Sequence, residues 1–312
     1  MEIAMWILLA LLLMGFMMTM LVSYIIFRTL LTRNEEGKWG RGASLTDDED
    51  YLRLYAQAEA WREAHADKIR EVDVVSDGLH LWGEYFDFGS KKAVIILPGR
   101  MESCVYSCHY AEPYRKAGWN VLTVDGRAHG RSEGRINSLG YKEYRDVLAW
   151  AKLLKEEMNI ECVVLHGICI GSSTGLFASV HPDCPDYVSA LVVDGMYQRF
   201  YDTCRLHMIK DKRPLYPFLM ETMFYIFLLG GANAVTDGPV KRIARMHKPI
   251  LFLHSREDMF SEPRKAQEMF DKCPSRQKKL VWFDKGAHSK LRLANPERYD
   301  EAVCSFLQEN GL

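Results

Sequence analysis

Residues 163–178 have the sequence VVLHGICIGSSTGLFA, in which an apolar run leads into a cysteine with a glycine two residues away on each side. The β-branched start predicts a strand, and the small residues further on suit a helix that begins close against it. Gly167 and Gly171 make room for a strained backbone that holds the Cys169 side chain at the carboxyl end of a sheet. The first turn of a helix also favours a thiolate over a thiol. The segment therefore predicts a strand-to-helix turn that carries a nucleophile, with a buried structural cysteine as the alternative.

The composition excludes several classes of protein. The chain has 312 residues and a formal net charge of −1, and it contains no cluster of basic residues that would suit a nucleic-acid partner. About 270 residues remain after an apolar amino-terminal segment, which suits one large α/β domain or two small ones, and we expect a single domain. The ten histidines are scattered, and H-E-x-x-H and both glycine-rich nucleotide motifs are missing. The sequence thus predicts neither a metal nor a cofactor, and it leaves the oligomeric state open.

Residues 3–27 contain no charged side chain, and about 20 apolar residues are enough to span a bilayer. We expect a single transmembrane helix; a cleaved signal peptide is the alternative, but a basic start and a small-x-small cleavage site are missing. Glu2 is the one charged residue before the span. The basic residues that closely follow it are Arg28, Arg33, Lys38 and Arg41. This asymmetry predicts that the domain after the anchor faces the cytoplasm.

The rest of the chain divides into three parts. An anchor with its flank (residues 1–33) is followed by a linker and an amphipathic helix (residues 34–68) and then by the main domain (residues 69–312). Residues 34–44 are polar, and Thr46 with Glu49 forms a capping box before apolar residues at helical spacing that extend to Ile69. Asp77-Gly78 between two apolar runs predicts that the main domain begins with a β-hairpin.

Eight strand-like runs alternate with helical stretches after this hairpin begins. The runs are residues 69–75, 79–86, 93–97, 120–124, 162–166, 189–193, 249–254 and 279–283. The helical candidates include residues 141–158 and 263–272. This alternation predicts an α/β fold with a mostly parallel eight-stranded sheet and helices on both faces. In such sheets the site forms beyond the carboxyl ends of the strands.

Five motifs follow strand-like runs in a fixed order. They are LPGR at 97–100, DGRAHGRS at 125–132, GICIG at 167–171, HSRED at 254–258 and GAH at 286–288. In order and spacing they resemble the α/β-hydrolase superfamily, and the carboxyl-terminal pattern resembles membrane-anchored bacterial hydrolases of the serine aminopeptidase-like and BEM46-like group. The resemblance covers residues 69–312 and implies an α/β-hydrolase fold with a helical lid at about residues 197–248.

The resemblance also implies a catalytic triad. Its acid and base follow the nucleophile in chain order, and Asp258 and His288 occupy those places. Asp194, at the end of an earlier strand, is the alternative acid, because some members of the superfamily place it there. His129 belongs to a turn that resembles a structural feature of the family, so we expect it to brace the elbow. Ser172 and Ser173 lie past the turn and are expected to be packing residues.

An oxyanion hole needs two donors that are fixed in advance. The elbow offers the backbone N–H of Ile170, and the loop after Leu97 offers a second from Arg100 or Met101. The family usually has histidine before the glycine of this loop, where this chain has Pro98. Since the donor is a backbone group, the hole can form without that histidine.

The cysteine at the elbow narrows the expected chemistry. A thiolate paired with His288 is an effective nucleophile, but it also leaves more easily than an amine. Esters, thioesters or lactones are therefore favoured over peptides as substrates. We expect a membrane-anchored hydrolase with a Cys169–His288–Asp258 triad; the alternatives are an acyltransferase and a non-catalytic binding protein on the same fold.

Within the lid region, residues 214–231 have the sequence PLYPFLMETMFYIFLLGG, which is short for a second span and contains Glu221. One interpretation is a buried cap helix over the site. The other is a lid that rests on the membrane and admits lipid-like acyl chains. In that case the residues expected to line the acyl pocket are Tyr197, Met220, Met223 and Phe224.

Overall fold

The computed structural model describes residues 2–33 and 48–312. The expected linker at residues 34–44 and the capping residue Thr46 lie outside the described residues. The helix after them has its own cap, because Asp48 Oδ1 accepts the Tyr51 N–H at 3.1 Å. That helix ends at Ala64, so Ile69 belongs to the first strand and does not continue the helical pattern.

Eight strands and twelve α-helices make up the described chain. The strands are β1 (Ile69–Ser76), β2 (Leu79–Phe86), β3 (Lys92–Leu97), β4 (Asn120–Val124), β5 (Cys162–Ile168), β6 (Val188–Asp194), β7 (Ile250–Ser255) and β8 (Lys278–Phe283). The helices are α1 (Glu2–Leu31), α2 (Glu49–Ala64), α3 (Cys104–Ser107), α4 (Glu112–Lys116), α5 (Tyr144–Glu156), α6 (Ile170–Ser179), α7 (Phe200–Lys210), α8 (Phe218–Tyr225), α9 (Pro239–Arg242), α10 (Pro263–Lys272), α11 (Leu291–Ala294) and α12 (Pro296–Glu309). Every strand end lies within two residues of its prediction.

The strands form one sheet in the order β1-β2-β4-β3-β5-β6-β7-β8. The pairs β1–β2 and β2–β4 are antiparallel, and the other five pairs are parallel. The predicted hairpin is confirmed: Asp77 and Gly78 turn it with φ values of 49° and 76°, as a two-residue turn of this kind requires. The parallel strands β3 to β8 end at one edge, and the loops that follow them carry the motifs described above.

Helices cover both faces of the sheet. Along β3, Ile95 and Leu97 belong to one buried cluster, and Val94 and Ile96 belong to the other. This alternation follows from the two-residue period of a strand. Helices α5 and α6 pack on the first face, and α2 and α12 pack on the second. The mostly parallel sheet with two helical layers confirms the predicted fold class.

The lid lies between β6 and β7 and contains α7, α8, a π-helix (Ile226–Gly230) and α9. The amino-terminal helix α1 is long and apolar enough to cross a membrane, and its carboxyl-terminal end packs on this lid. Phe27 and Leu31 of α1 are buried in one apolar cluster with Tyr197, Leu219 and Met223. Thr19, Ser23 and Phe27 of α1 contact α8 of the lid, and Leu31 at the end of α1 accepts the Asn137 N–H at 2.8 Å.

Candidate active site

Cys169 lies between β5 and α6, with φ 52° and ψ −109°. Non-glycine residues seldom adopt such a φ, which costs on the order of 1–3 kcal/mol. Neighbouring backbone holds it in place: the Cys169 N–H donates to Asp194 O at 2.9 Å, and Ser172 Oγ donates to Gly167 O at 2.6 Å. A Cβ at Gly171 would overlap the carbonyl group at the end of β3, so only glycine fits there. The result is a rigid turn that presents the cysteine side chain beyond the sheet.

His288 and Asp258 lie in loops after β8 and β7, and their side chains meet: Nδ1 and Oδ2 are 2.8 Å apart. The His288 ring also interacts with the Cys169 side chain. Asp258 is fixed by two backbone donors, because its Oδ1 accepts the N–H groups of Phe260 and Ser261, each at 2.8 Å. Three residues from three loops therefore form one chain of contacts from thiol to imidazole to carboxylate.

The electrostatics of these three side chains favour an ionised pair of His288 and Asp258. Burial disfavours the charged forms of both groups, but Asp258 and the Cys169 sulfur together raise the pKa of His288 well above its usual range. Burial is likewise outweighed at Asp258, whose pKa His288 holds below its usual range. The pair therefore stabilises the fold at intermediate pH. That contribution is lost as pH falls through the lowered pKa of Asp258, or rises through the raised pKa of His288.

Asp194, the alternative acid, lies close to the triad but has a different partner. Its Oδ2 accepts the Tyr299 hydroxyl at 2.9 Å, and its Oδ1 is buried without a partner in the described part of the chain. Burial raises the pKa of Asp194 to about 7. The next residue, Gly195, has φ 61°, and a Cβ there would lie 3.1 Å from the His288 ring. The geometry thus places Asp258, and not Asp194, on the imidazole.

The two candidate donors in the loop after β3 differ in their contacts. The Met101 N–H donates to His129 Nε2 at 3.1 Å, so it does not point at the space beside Cys169. Because this nitrogen accepts, the other ring nitrogen of His129 donates to Arg127 O at 2.9 Å, and burial lowers the pKa of His129 to about 4. His129 is therefore a neutral brace. The Met101 N–H therefore helps to hold the loop in place and is no longer a candidate oxyanion donor. Arg100 remains as the candidate second donor beside Ile170.

A cavity of about 450 Å³ opens in front of Cys169 and is bordered by both Arg100 and Ile170. Of the four residues expected to line an acyl pocket, Tyr197 alone does so. Met220 and Phe224 are 44% and 48% exposed on the outer face of the lid, and Met223 is buried in the lid core. The apolar wall consists instead of Phe200, Cys204, Met208 and Leu219 from the lid, and Ile26 and Leu30 from α1.

Two protein families match the region that contains these residues. The family described as alpha/beta hydrolase fold matches residues 92–232, and the serine aminopeptidase S33 family matches residues 217–292. Together the matches include Cys169, Asp258 and His288. The chain belongs to the α/β-hydrolase superfamily.

Individual relatives of this hydrolase extend the comparison. The chain is 29% identical to the uncharacterized protein YqkD of Bacillus subtilis, over 69% of this chain and 70% of the relative. It is 22% identical to an uncharacterized membrane protein of Saccharomyces cerevisiae, over 64% of each chain. The structure is similar to an esterase of Pyrococcus furiosus (Pf2001), with a TM-score of 0.66, 23% identity, and coverage of 80% of this chain and 93% of that one. It also resembles Est1E of Butyrivibrio proteoclasticus, with a TM-score of 0.56, 16% identity, and coverage of 77% and 98%. At such identities these structures establish the fold.

A buried glutamate that the sequence reasoning missed also borders the site of this hydrolase. Glu102 Oε2 accepts the Gly99 N–H at 2.8 Å and so fixes the loop that carries Arg100. Burial raises the pKa of Glu102 to about 7, although that hydrogen bond opposes the change. The available signal was a carboxylate three residues after a Pro-Gly turn, which can cap the turn's own backbone.

All eight cysteines are free thiols. Within residues 2–33 and 48–312, no group of three His, Cys, Asp or Glu side chains is placed to hold a metal ion. Cys169 differs from the other cysteines in lying both at a strained turn and beside an imidazole.

Proposed function

We propose that the protein is a membrane-anchored hydrolase that cleaves an ester, thioester or lactone through an acyl-enzyme on Cys169. The observation that carries this proposal is the contact chain of Cys169, His288 and Asp258, set at a strained turn that opens on an apolar cavity. A merely structural cysteine needs neither the left-handed backbone nor the adjacent imidazole–carboxylate pair.

In the first half-reaction, the Cys169 thiolate attacks the acyl carbon, and the carbonyl oxygen becomes an oxyanion. The backbone N–H groups of Ile170 and Arg100 stabilise that charge. The His288 imidazolium gives its proton to the leaving alcohol or thiol as the carbon–oxygen or carbon–sulfur bond breaks, which leaves an acyl thioester on Cys169.

In the second half-reaction, neutral His288 takes a proton from water, and the resulting hydroxide attacks the thioester. The intermediate then expels the Cys169 thiolate and releases a carboxylic acid. Asp258 holds the Nδ1–H tautomer throughout and stabilises the imidazolium, so it positions the base and does not itself accept a proton.

The leaving groups decide which substrates suit this site. When the tetrahedral intermediate of an amide collapses, thiolate departs more easily than an amine, so the reaction tends to reverse. An alkoxide or thiolate leaving group competes better once His288 supplies a proton. The proposal therefore favours oxygen and sulfur esters over peptides, although one matching family carries the name of an aminopeptidase.

A panel of p-nitrophenyl esters and acyl thioesters tests this proposal, with aminoacyl p-nitroanilides as the amide arm. We expect hydrolysis of one or more esters or thioesters, no measurable turnover of the anilides, and loss of activity in Cys169→Ala. If no substrate is turned over, a binding protein on the same fold replaces the enzyme. If added amines or alcohols capture most of the acyl group, the reaction is acyl transfer.

The orientation of the domain has its own test. Since the basic flank follows α1, we expect the catalytic domain on the cytoplasmic side. A membrane-impermeant maleimide should leave a Glu59→Cys reporter on the exposed side of α2 unlabelled in intact cells and should label it after lysis. Strong labelling of this reporter without lysis would reverse the assigned orientation.

A further inference from the structure

The lid carries an apolar outer surface that no part of the described chain covers. The exposed residues are Met220, Phe224, Phe227, Leu228 and Leu229, with exposed fractions between 40% and 61%. Glu221 is the one charged residue within residues 218–230, and its side chain is buried against α1. A helix of this length facing water would carry polar residues on its outer side. A contiguous apolar surface of this kind marks contact with another apolar phase.

This surface continues that of α1. Thr19 Oγ1 and Ser23 Oγ each donate to a different oxygen of the Glu221 carboxylate, both at 2.8 Å. The rings of Tyr24 and Tyr225 have centroids 5.3 Å apart. At 1.5 Å per residue, Thr19 and Ser23 lie about 12 and 6 Å along the helix from the end of the apolar stretch at residue 27. Helices that lie in a membrane surface bury their apolar face by about 5–10 Å. The contacts with Thr19 and Ser23 would place α8 at a similar depth below the end of the apolar stretch.

Charges next to the lid agree with this placement. Two exposed lysines, Lys210 and Lys212, stand shortly before α8, and the exposed Arg213 is paired with Asp211 at 3.0 Å. Asp211 and Arg213 border the same cavity as Thr29 of α1, which directly follows Arg28 at the level where the apolar stretch ends. Basic side chains at that level would meet lipid headgroups while the lid helix meets acyl chains.

The cavity in front of Cys169 reaches this boundary. Ile26 and Leu30 of α1 and Leu219 of α8 form part of its wall, so the anchor and the lid are what separates the nucleophile from the bilayer. A soluble substrate has no need of a wall supplied by a membrane helix. An acyl chain that moves from the bilayer into this cavity would stay in apolar surroundings and would not have to cross water.

From these contacts we infer that α8 and the π-helix lie in the cytoplasmic leaflet beside α1, and that the substrate is an acyl lipid whose chain enters the cavity sideways between α1 and the lid. This inference rests on the proposed function for the reaction itself, but the membrane contact of the lid stands independently of it. The anchor is then a wall of the acyl-binding site as well as a tether.

Photo-crosslinking tests where the lid lies. The full chain, in dioleoylphosphatidylcholine vesicles, carries p-benzoylphenylalanine at Leu228 on the lid, at Leu12 on α1 or at Val75 on β1. All three side chains are more than half exposed, so exposure is matched. Leu228 should give lipid adducts like those of Leu12, whereas Val75 should give none. A Leu228 variant that resembles Val75 overturns the membrane contact of the lid.

Filling the cavity from the anchor side tests the entry route. Leu30→Trp should lower the ratio of kcat/KM for vesicle-borne p-nitrophenyl palmitate to that for p-nitrophenyl acetate by about tenfold or more, since fewer methylenes can be buried. Ile25→Trp, one residue from the wall but with its side chain 54% exposed on the outside of α1, should keep the wild-type ratio. Iodoacetamide labelling of Cys169 at the wild-type rate confirms that each variant is folded.

The outcomes separate the two proposals. If the wild type hydrolyses neither ester, the proposed function fails, and the crosslinks still report the place of the lid. If it hydrolyses both but Leu30→Trp and Ile25→Trp have the same ratio, hydrolysis stands and sideways entry is overturned.

Discussion

Asp194 is the last residue of β6, Asp258 lies in the loop after the neighbouring parallel strand β7, and both are buried close to His288. One is bound to the imidazole, and the other is bound to the hydroxyl of Tyr299. Their ionisation differs accordingly: the pKa of Asp258 is lowered, whereas that of Asp194 is raised to about 7. A buried carboxylate thus forms an ionised pair where a group that can carry positive charge lies next to it. Position at a strand end is not sufficient.

The surroundings of Asp194 support this contrast, because they are neutral. Tyr299 donates to Asp194, so His166 Nε2 donates to the Tyr299 oxygen at 3.0 Å, and Tyr114 donates to His166 Nδ1 at 3.1 Å. Burial lowers the pKa of His166 to about 3. Below the pKa of Asp194, at about pH 7, this network ties β5 and β6 to α4 and α12 without a charge, and the pair of Asp258 and His288 is the ionised part of the site.

The largest expected effect distinguishes the two aspartates by turnover. Asp258→Asn should lower kcat/KM for a short p-nitrophenyl ester by about 10³-fold or more, since an amide no longer stabilises the imidazolium or the required tautomer. Asp194→Asn should lower it by less than about tenfold, because an amide oxygen can still accept from Tyr299. Circular dichroism should show both variants folded. If Asp194→Asn proves the more damaging change, the two roles are exchanged.

The fold was predictable because its signals are local. The alternation of apolar runs with helical stretches sets the sheet, and Asp77-Gly78 sets the hairpin. The residues that meet at the site follow from motif order, which reflects the loops at one edge of a parallel sheet. The Cys169 elbow, Asp258 and His288 come together for that reason.

Other features depend on tertiary contacts that no local pattern encodes. The Met101 N–H is directed away from the site by His129, which lies 28 residues further along the chain. The sequence of residues 218–230 is apolar on nearly all sides and does not show which side faces the cavity, so the prediction that Met220 and Phe224 line it is wrong. The contribution of Ile26 and Leu30 to the cavity follows from docking of α1 on the lid.

A smaller effect separates the two aspartates by the pH dependence of stability. The raised pKa of Asp194 means that, between about pH 4 and pH 7, the unfolded chain has released a proton that the folded chain retains. Stability therefore falls as pH rises through this window. Asp194→Asn removes this contribution, so its Tm should fall less than that of the wild type between pH 5 and pH 7.5. Each kcal/mol of difference in the free energy of unfolding corresponds to roughly 2–4 °C in Tm.

The size of the slope and a second variant sharpen this measurement. Glu102 has a raised pKa of the same sign, so the slope should be reduced and not abolished. Asp258→Asn should instead lower Tm most at neutral pH, where the intact pair with His288 is stabilising. Identical pH profiles for Asp194→Asn and the wild type would show that Asp194 is ionised in the folded protein, and the contrast with Asp258 would disappear.

The most direct test of the central claim is mass spectrometry of the full chain after brief incubation with an activated ester. A covalent acyl-enzyme on Cys169 predicts a mass increase equal to the acyl group, located on the peptide that contains Cys169. The adduct should be absent in Cys169→Ala and should persist longest in Asp258→Asn, where hydrolysis of the thioester is slowed. Turnover of the same ester without any adduct at Cys169, or with equal adducts on the other seven cysteines, would contradict the account.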